Sequence, residues 1–205
     1  MTTQYLSLLR TQILRRLGGE FWFEFSKYVS GGPGLTVSRE IVRVVSRSAL
    51  QWTRNAAGRM PLGGEVAIHS RTGVVGRPGR VFHIPMIDVQ GRQSRALRAR
   101  VREECIRLDA PASIYLSGRG FHVYFYTVIP TPAWHEFLAR ILLWTPPAPR
   151  GPAIPVDIRW VGHSLEHGYS ALRLTRYTTE YLKAPEWFCD VSPQVGLTSK
   201  RRHSE

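Results

Sequence analysis

The stretch S-G-R-G-F-H-V-Y-F, residues 117–125, sets a glycine turn between two runs of strand-forming residues. SIYL (113–116) precedes it and FHVYFYTV (121–128) continues it, so the segment reads as two short strands joined by a tight turn. Ser117 and His122 flank the turn and therefore lie near one end of the strand pair. Gly118 and Gly120 allow a close approach of backbone to a ligand. Ser117, Arg119 and His122 carry donors suited to phosphate oxygens. A plain hairpin with a polar tip is the competing reading. His122 alternates with Phe121 and Val123, so it faces away from an apolar layer, as a ligand-facing histidine would.

Outward from this hairpin the pattern is mixed. Upstream, residues 92–108 predict a helix with Leu97, Val101, Cys105 and Leu108 on its apolar face. Arg92, Arg95, Arg98 and Arg102 fall on another face, suited to nucleic-acid phosphates or simply to water. EVAIH (65–69) and HIPMIDVQG (83–91) read as strands, and period-two alternation puts Asp88 and Gln90 on one face. Asp88, ending an apolar strand, suits a metal ligand beside substrate phosphates, or a cap of the next turn. Downstream, residues 131–144 predict an amphipathic helix with Pro132 in its first turn. A proline-rich connector (145–155) follows, then VDIRWV (156–161) and YSALRLT (169–175), read as a second strand pair. Arg173, between Leu172 and Leu174, then points opposite to two apolar side chains.

The N-terminal 19 residues predict an amphipathic helix on Leu6, Leu9, Ile13 and Leu17. FWFEFSKYV (21–29) follows as a strand, SGGPG as a loop, and a second helix carries Val37, Ile41, Val44 and Val45. The expectation is an α+β (α/β-type) fold: a central, mostly antiparallel sheet flanked by helices, with an N-terminal helical layer. It divides into an accessory layer (1–63), a main domain (64–190) and a basic, disordered tail (191–205).

Charge narrows the partners. The 205 residues carry 28 basic and 15 acidic side chains, a formal net charge of +13. Such a field concentrates polyanions, nucleic acid first among them. Lys27, Lys183 and Lys200 are the only lysines, so the excess is arginine, which a GC-rich genome also favours. Cys105 and Cys189 are the only cysteines, too few for a disulfide scaffold. No apolar run approaches the roughly 20 residues of a membrane span. A cytoplasmic, reduced protein without membrane contact is expected.

The order of the motifs carries more than any one of them. An aspartate-bearing strand, then S-G-x-G-x-H, then an acid-containing segment ending in L-R-L-T resembles the archaeo-eukaryotic primase superfamily, over roughly residues 64–178. The resemblance implies a primase-polymerase-like domain that binds nucleoside triphosphates and single-stranded or primed DNA. It implies Mg²⁺ or Mn²⁺, held by Asp88 with Asp157 or Glu166 as catalytic acids. It places phosphates on Ser117, Arg119, His122 and Arg173, with Arg92, Arg95, Arg98 and Arg102 holding nucleic acid. This chain departs from the pattern twice. Gln90 stands where the family has a second acid, and the third acid is displaced to Glu166 or Asp157, its expected place falling near His167. Two functions follow from the resemblance: synthesis of short primers by metal-dependent nucleotidyl transfer, or a non-catalytic module in a replication, repair or defence complex. Outside it stand a zinc site on His163, His167 and Cys189, a two-histidine RNA phosphodiesterase and an arginine-rich structural protein.

Overall fold

The computed structural model describes residues 2–32, 35–61, 64–77, 79–118, 120–144, 153–175 and 184–192. The chain opens with α1 (Thr2–Leu17), whose Leu6, Leu9 and Ile13 are buried and which stops at Gly18 in the left-handed region, φ 65°. There follow β1 (Phe21–Gly32), β2 (Leu35–Val45), a 3₁₀ turn (Ser46–Ser48), α2 (Ala49–Arg59), β3 (Gly64–Val74), β4 (Phe82–His83) and β5 (Met86–Val89). Next come α3 (Arg95–Arg107), β6 (Ala112–Ser117), β7 (Gly120–Phe125), β8 (Ile129–Pro130) and α4 (Thr131–Leu142). The described chain closes with α5 (Ile158–His167), β9 (Ala171–Arg173) and β10 (Glu186–Val191).

The expected α+β class holds, and every paired strand runs antiparallel. The strands divide between two sheets. One has the order β2-β1-β3-β4-β8, with β9 also on β3; the other has the order β10-β6-β7-β5. The first core joins Phe21, Phe23 and Phe25 of β1 to α1, α2 and to Met86, Tyr115 and Tyr124 of the second sheet. The second core lies on the opposite face of that sheet, where Ile87, Phe121 and Val123 meet Leu97 and Val101 of α3 and Trp134 and Leu138 of α4. Antiparallel partners project to the same face. The face of the second sheet that carries Asp88, Tyr115 and His122 is therefore the face turned away from α3 and α4.

Two expectations are corrected. Residues 35–45 form a strand, not a second helix, paired with β1 from Trp22↔Val45 to Gly32↔Leu35. The helical spacing of Val37, Ile41, Val44 and Val45 comes from a run so rich in β-branched residues that strand pairing wins. Residues 158–167 form α5, not a strand. Asp157 caps it, accepting from the backbone N–H of Arg159 and Trp160, and Gly168 ends it at φ 71°. In α3 the cap is Ser94, which accepts from Leu97 N, so Arg92 precedes the helix. No described helix is long and apolar enough to cross a membrane. The prolines at 145–152 of the connector and the tail at 193–205 lie outside the described residues.

Candidate functional site

The register of β5, β6 and β7 builds one wall of a cleft. Asp88 lies opposite His122, and His122 opposite Tyr115. Ser117 Oγ is 2.6 Å from His122 Nε2, and Asp88 Oδ1 is 4.0 Å from the same nitrogen. The Tyr124 hydroxyl lies 3.3 Å from His122 Nδ1 and donates to the Arg173 carbonyl. Gln93 donates to the carbonyls of Gly118 and Gly120, which ties the hairpin tip to the start of α3. Gly120 serves the chain's own packing: a Cβ there would lie 1.9 Å from the Val89 carbonyl oxygen. Gly118 sits at φ 62°, where a side chain would be strained.

The other wall comes from the first sheet and α5. Arg173 pairs with Ala67 on β3, while its neighbours Leu172 and Leu174 enter the first core. Tyr28 lies opposite Glu65 and donates to its carboxylate. Asp157 is locked from both sides. Its Oδ1 accepts the two N-terminal N–H groups of α5, and its Oδ2 accepts Gln90 Nε2 at 2.5 Å. Its backbone N–H donates to the Asp88 carbonyl, which sets the two acids side by side. The cleft has a volume of about 1120 Å³ and continues into a recess of about 650 Å³ reaching Arg39, Arg159, His163 and His167.

Electrostatics separate these groups. Burial, together with the Asp157 charge, pushes the Asp88 carboxyl up to about 7 against the pull of Arg173. Burial, then the Arg173 charge, holds His122 down at about 3, so the ring is neutral at physiological pH. The Asp88–His122 contact is therefore no ion pair, and His122 offers one donor and one acceptor. Burial raises the Glu65 carboxyl, partly offset by Tyr28 and Arg173.

The chain matches the family described as archaeo-eukaryotic primase 1D-like, AEP-like, over residues 45–186. It belongs to that family. Among solved structures, the crystal structure of primase RepB′ is similar at TM-score 0.40 and 11% identity, over 92% of this chain and 56% of that one. The chain thus spans little more than half the length of that primase. No curated protein matches.

In this primase-family chain the cleft gathers Asp88, Ser117, His122, Asp157 and Arg173. Of the four arginines considered for nucleic acid, Arg92 and Arg98 line it, with Arg98 stacked over Phe188. Arg95 and Arg102 are exposed on α3 and are not among the lining residues. Glu166 stands exposed near the end of α5, paired with His163 and His167, and lines neither the cleft nor its recess. Arg119 lies outside the described residues. Cys189 belongs to β10, beside Ile114 of β6, and is not in the cluster that His163, Glu166 and His167 form. Sequence reading misses Tyr28, Glu65 and Gln93, which line the cleft from distant parts of the chain.

The raised Asp88 pKa makes a stability prediction. The folded state holds this proton more tightly than the unfolded chain, so stability is full below the ordinary carboxylate pKa and falls as pH rises through about 7. Asp88→Asn removes that loss. In metal-free buffer the variant should gain on the natural protein as pH rises, by on the order of 2 kcal/mol at about pH 8. Urea unfolding at several pH values checks this; a pH-independent difference would mean that Asp88 is an ordinary exposed carboxylate.

Proposed function

We propose that the chain binds nucleoside triphosphates and single-stranded or primed DNA in this cleft, with nucleotidyl transfer slow or absent. The observation that carries the reading is the convergence of Ser117, neutral His122 and Arg173 around Asp88 in a cleft large enough for a nucleotide and flanked by Arg92 and Arg98. Arg173 supplies a fixed charge for phosphate, and Ser117 and His122 supply neutral hydrogen bonds. Shape and charge thus favour phosphate over a neutral ligand.

The donor set fits a divalent ion in part. Asp88, crowded by Asp157, gains from a cation, and Mg²⁺ sites often rest on one or two carboxylates with substrate phosphates. Asp88 would hold the ion with Asp157 behind it, and the ion would neutralise phosphoryl charge. Asp157, however, is engaged by three N–H groups, and Gln90 adds no charge. That engagement favours a second reading, a non-catalytic module in a replication, repair or defence complex. The cleft's arginines and phosphate donors serve both.

The test is binding. By calorimetry, His122→Ala and Arg173→Ala should each lose about tenfold or more in triphosphate affinity, the cost of one charge-assisted or buried hydrogen bond. Thermal melts check that both variants stay folded. Fluorescence anisotropy with primed DNA should show affinity falling by at least about tenfold between low and moderate salt. Unchanged triphosphate affinity in both variants, or DNA binding flat with salt, would overturn the reading.

A further inference from the structure

The geometry points to a second metal site, outside the cleft's acid pair, on the exposed face of α5: His163, Glu166 and His167 as ligands for a late transition-metal dication such as Zn²⁺. The three residues are spaced i, i+3 and i+4, which stacks them on one face of a helix. Two histidines four apart are also the spacing with which helices present paired imidazoles to zinc. One ligand atom from each residue falls within 4.8 Å of the others. His163 Nδ1 is 3.3 Å and His167 Nδ1 3.7 Å from Glu166 Oε2. Ligand atoms about 2.0–2.1 Å from a tetrahedral ion lie roughly 3.3–3.5 Å apart, so the two histidine–carboxylate distances are already close to those around a bound ion. His167 Nδ1 also lies 2.9 Å from the His163 carbonyl, a contact that coordination through this nitrogen would replace.

The platform is held at both ends. Asp157 caps the first turn and Gly168 closes the last. Val161 and Ser164 are buried, and Trp160 Nε1 donates to the Ala171 carbonyl at 2.7 Å. The ligands themselves are exposed, so an ion can enter without opening the core. Two imidazoles and one carboxylate select Zn²⁺, Co²⁺ or Ni²⁺ over Mg²⁺, which prefers an all-oxygen shell. Three protein ligands leave a fourth position open. His163 and His167 line the recess that continues from the cleft past Arg159 and Arg173, so the open position would add a cation to a phosphate path. All three ligands lie on α5, so the site is independent of nucleotide binding at Asp88.

Zinc competition between the full chain and a chromophoric chelator, in nucleotide-free buffer, tests it. The natural protein should withdraw zinc from the chelator. His163→Ala and His167→Ala should each weaken zinc binding by at least about tenfold, since even the loss of an outer-shell partner costs that much. Cys189→Ser, on β10 and outside the cluster, should bind zinc as the natural protein does, and excess Mg²⁺ should not compete. Far-UV circular dichroism checks that the histidine variants, altered at exposed positions, keep their helices. Natural-strength binding in both histidine variants, loss of binding in Cys189→Ser, or displacement by Mg²⁺ would each overturn the site.

Discussion

Gly120→Ala is expected to destabilise the protein by about 3 kcal/mol or more, the upper end of the cost of overpacking a tight interior. The added methyl would lie 1.9 Å from the Val89 carbonyl oxygen, 3.0 Å from the Val89 carbonyl carbon and 3.2 Å from the Gln90 Cα. All three atoms are backbone, so no side chain can rotate away. Relief requires β5 and β7 to part where Val89 pairs with Phe121, one residue from the Asp88–His122 pair. The same substitution should therefore cost triphosphate affinity as well as stability. Gly162→Ala is the control. Gly162 lies within α5, and a methyl added there would meet nothing within 4 Å beyond its own helix backbone, so alanine should stabilise by roughly 0.5–1 kcal/mol. Urea unfolding of both variants gives the comparison. A Gly120→Ala protein as stable as the natural one would mean that β5 and β7 do not approach as described.

The hairpin is legible in the sequence because its signals are local. Glycines, alternation and the serine–histidine spacing all fall within residues 117–125, and the pleat alone puts Asp88 and Gln90 on one face. Arg173 is legible for the same reason, lying between two leucines that enter the core. Sequence and structure part where two periods coincide or where partners are distant. Residues 35–45 satisfy both a helical and a strand pattern, and pairing with β1 decides between them. Residues 157–168 hold a complete helix signature, an aspartate cap and a closing glycine, but an aspartate in that place suits a metal as well as a cap. Tyr28 and Glu65 meet across β1 and β3 at a separation of 37 residues, and no local pattern announces that pairing. Helical spacing groups the arginines of α3 together, but Arg92 lies before the Ser94 cap, and only it and Arg98 line the cleft. Chemistry confined to one hairpin can be read from the chain, whereas the opposite wall of the cleft exists only after the two sheets come together.

Gln90→Asp is expected to make both stability and activity depend on divalent metal. In the natural protein Gln90 donates to Asp157, a neutral contact that stabilises the carboxylate beside Asp88. An aspartate at position 90 removes the donor and adds a charge beside Asp157 and beside Asp88, whose carboxyl already titrates near 7 because of its surroundings. In chelator the variant should melt several degrees lower, since about 1 kcal/mol corresponds to roughly 2–4 °C for a chain of this size. Mn²⁺ or Mg²⁺ should restore the loss, because an ion that binds only the folded state stabilises it. The natural protein, with one charge fewer, should respond weakly. Primer extension follows the same logic: little or no synthesis by the natural protein, more with Mn²⁺ than Mg²⁺, and a gain in Gln90→Asp that Asp88→Asn abolishes. Robust Mg²⁺-dependent synthesis by the natural protein would show that Asp88 suffices and that Gln90 is no impairment. A Gln90→Asp protein stabilised by metal yet inert would place the block at Asp157: an acid that caps α5 through two backbone N–H groups cannot turn toward a second ion without uncapping the helix that positions it.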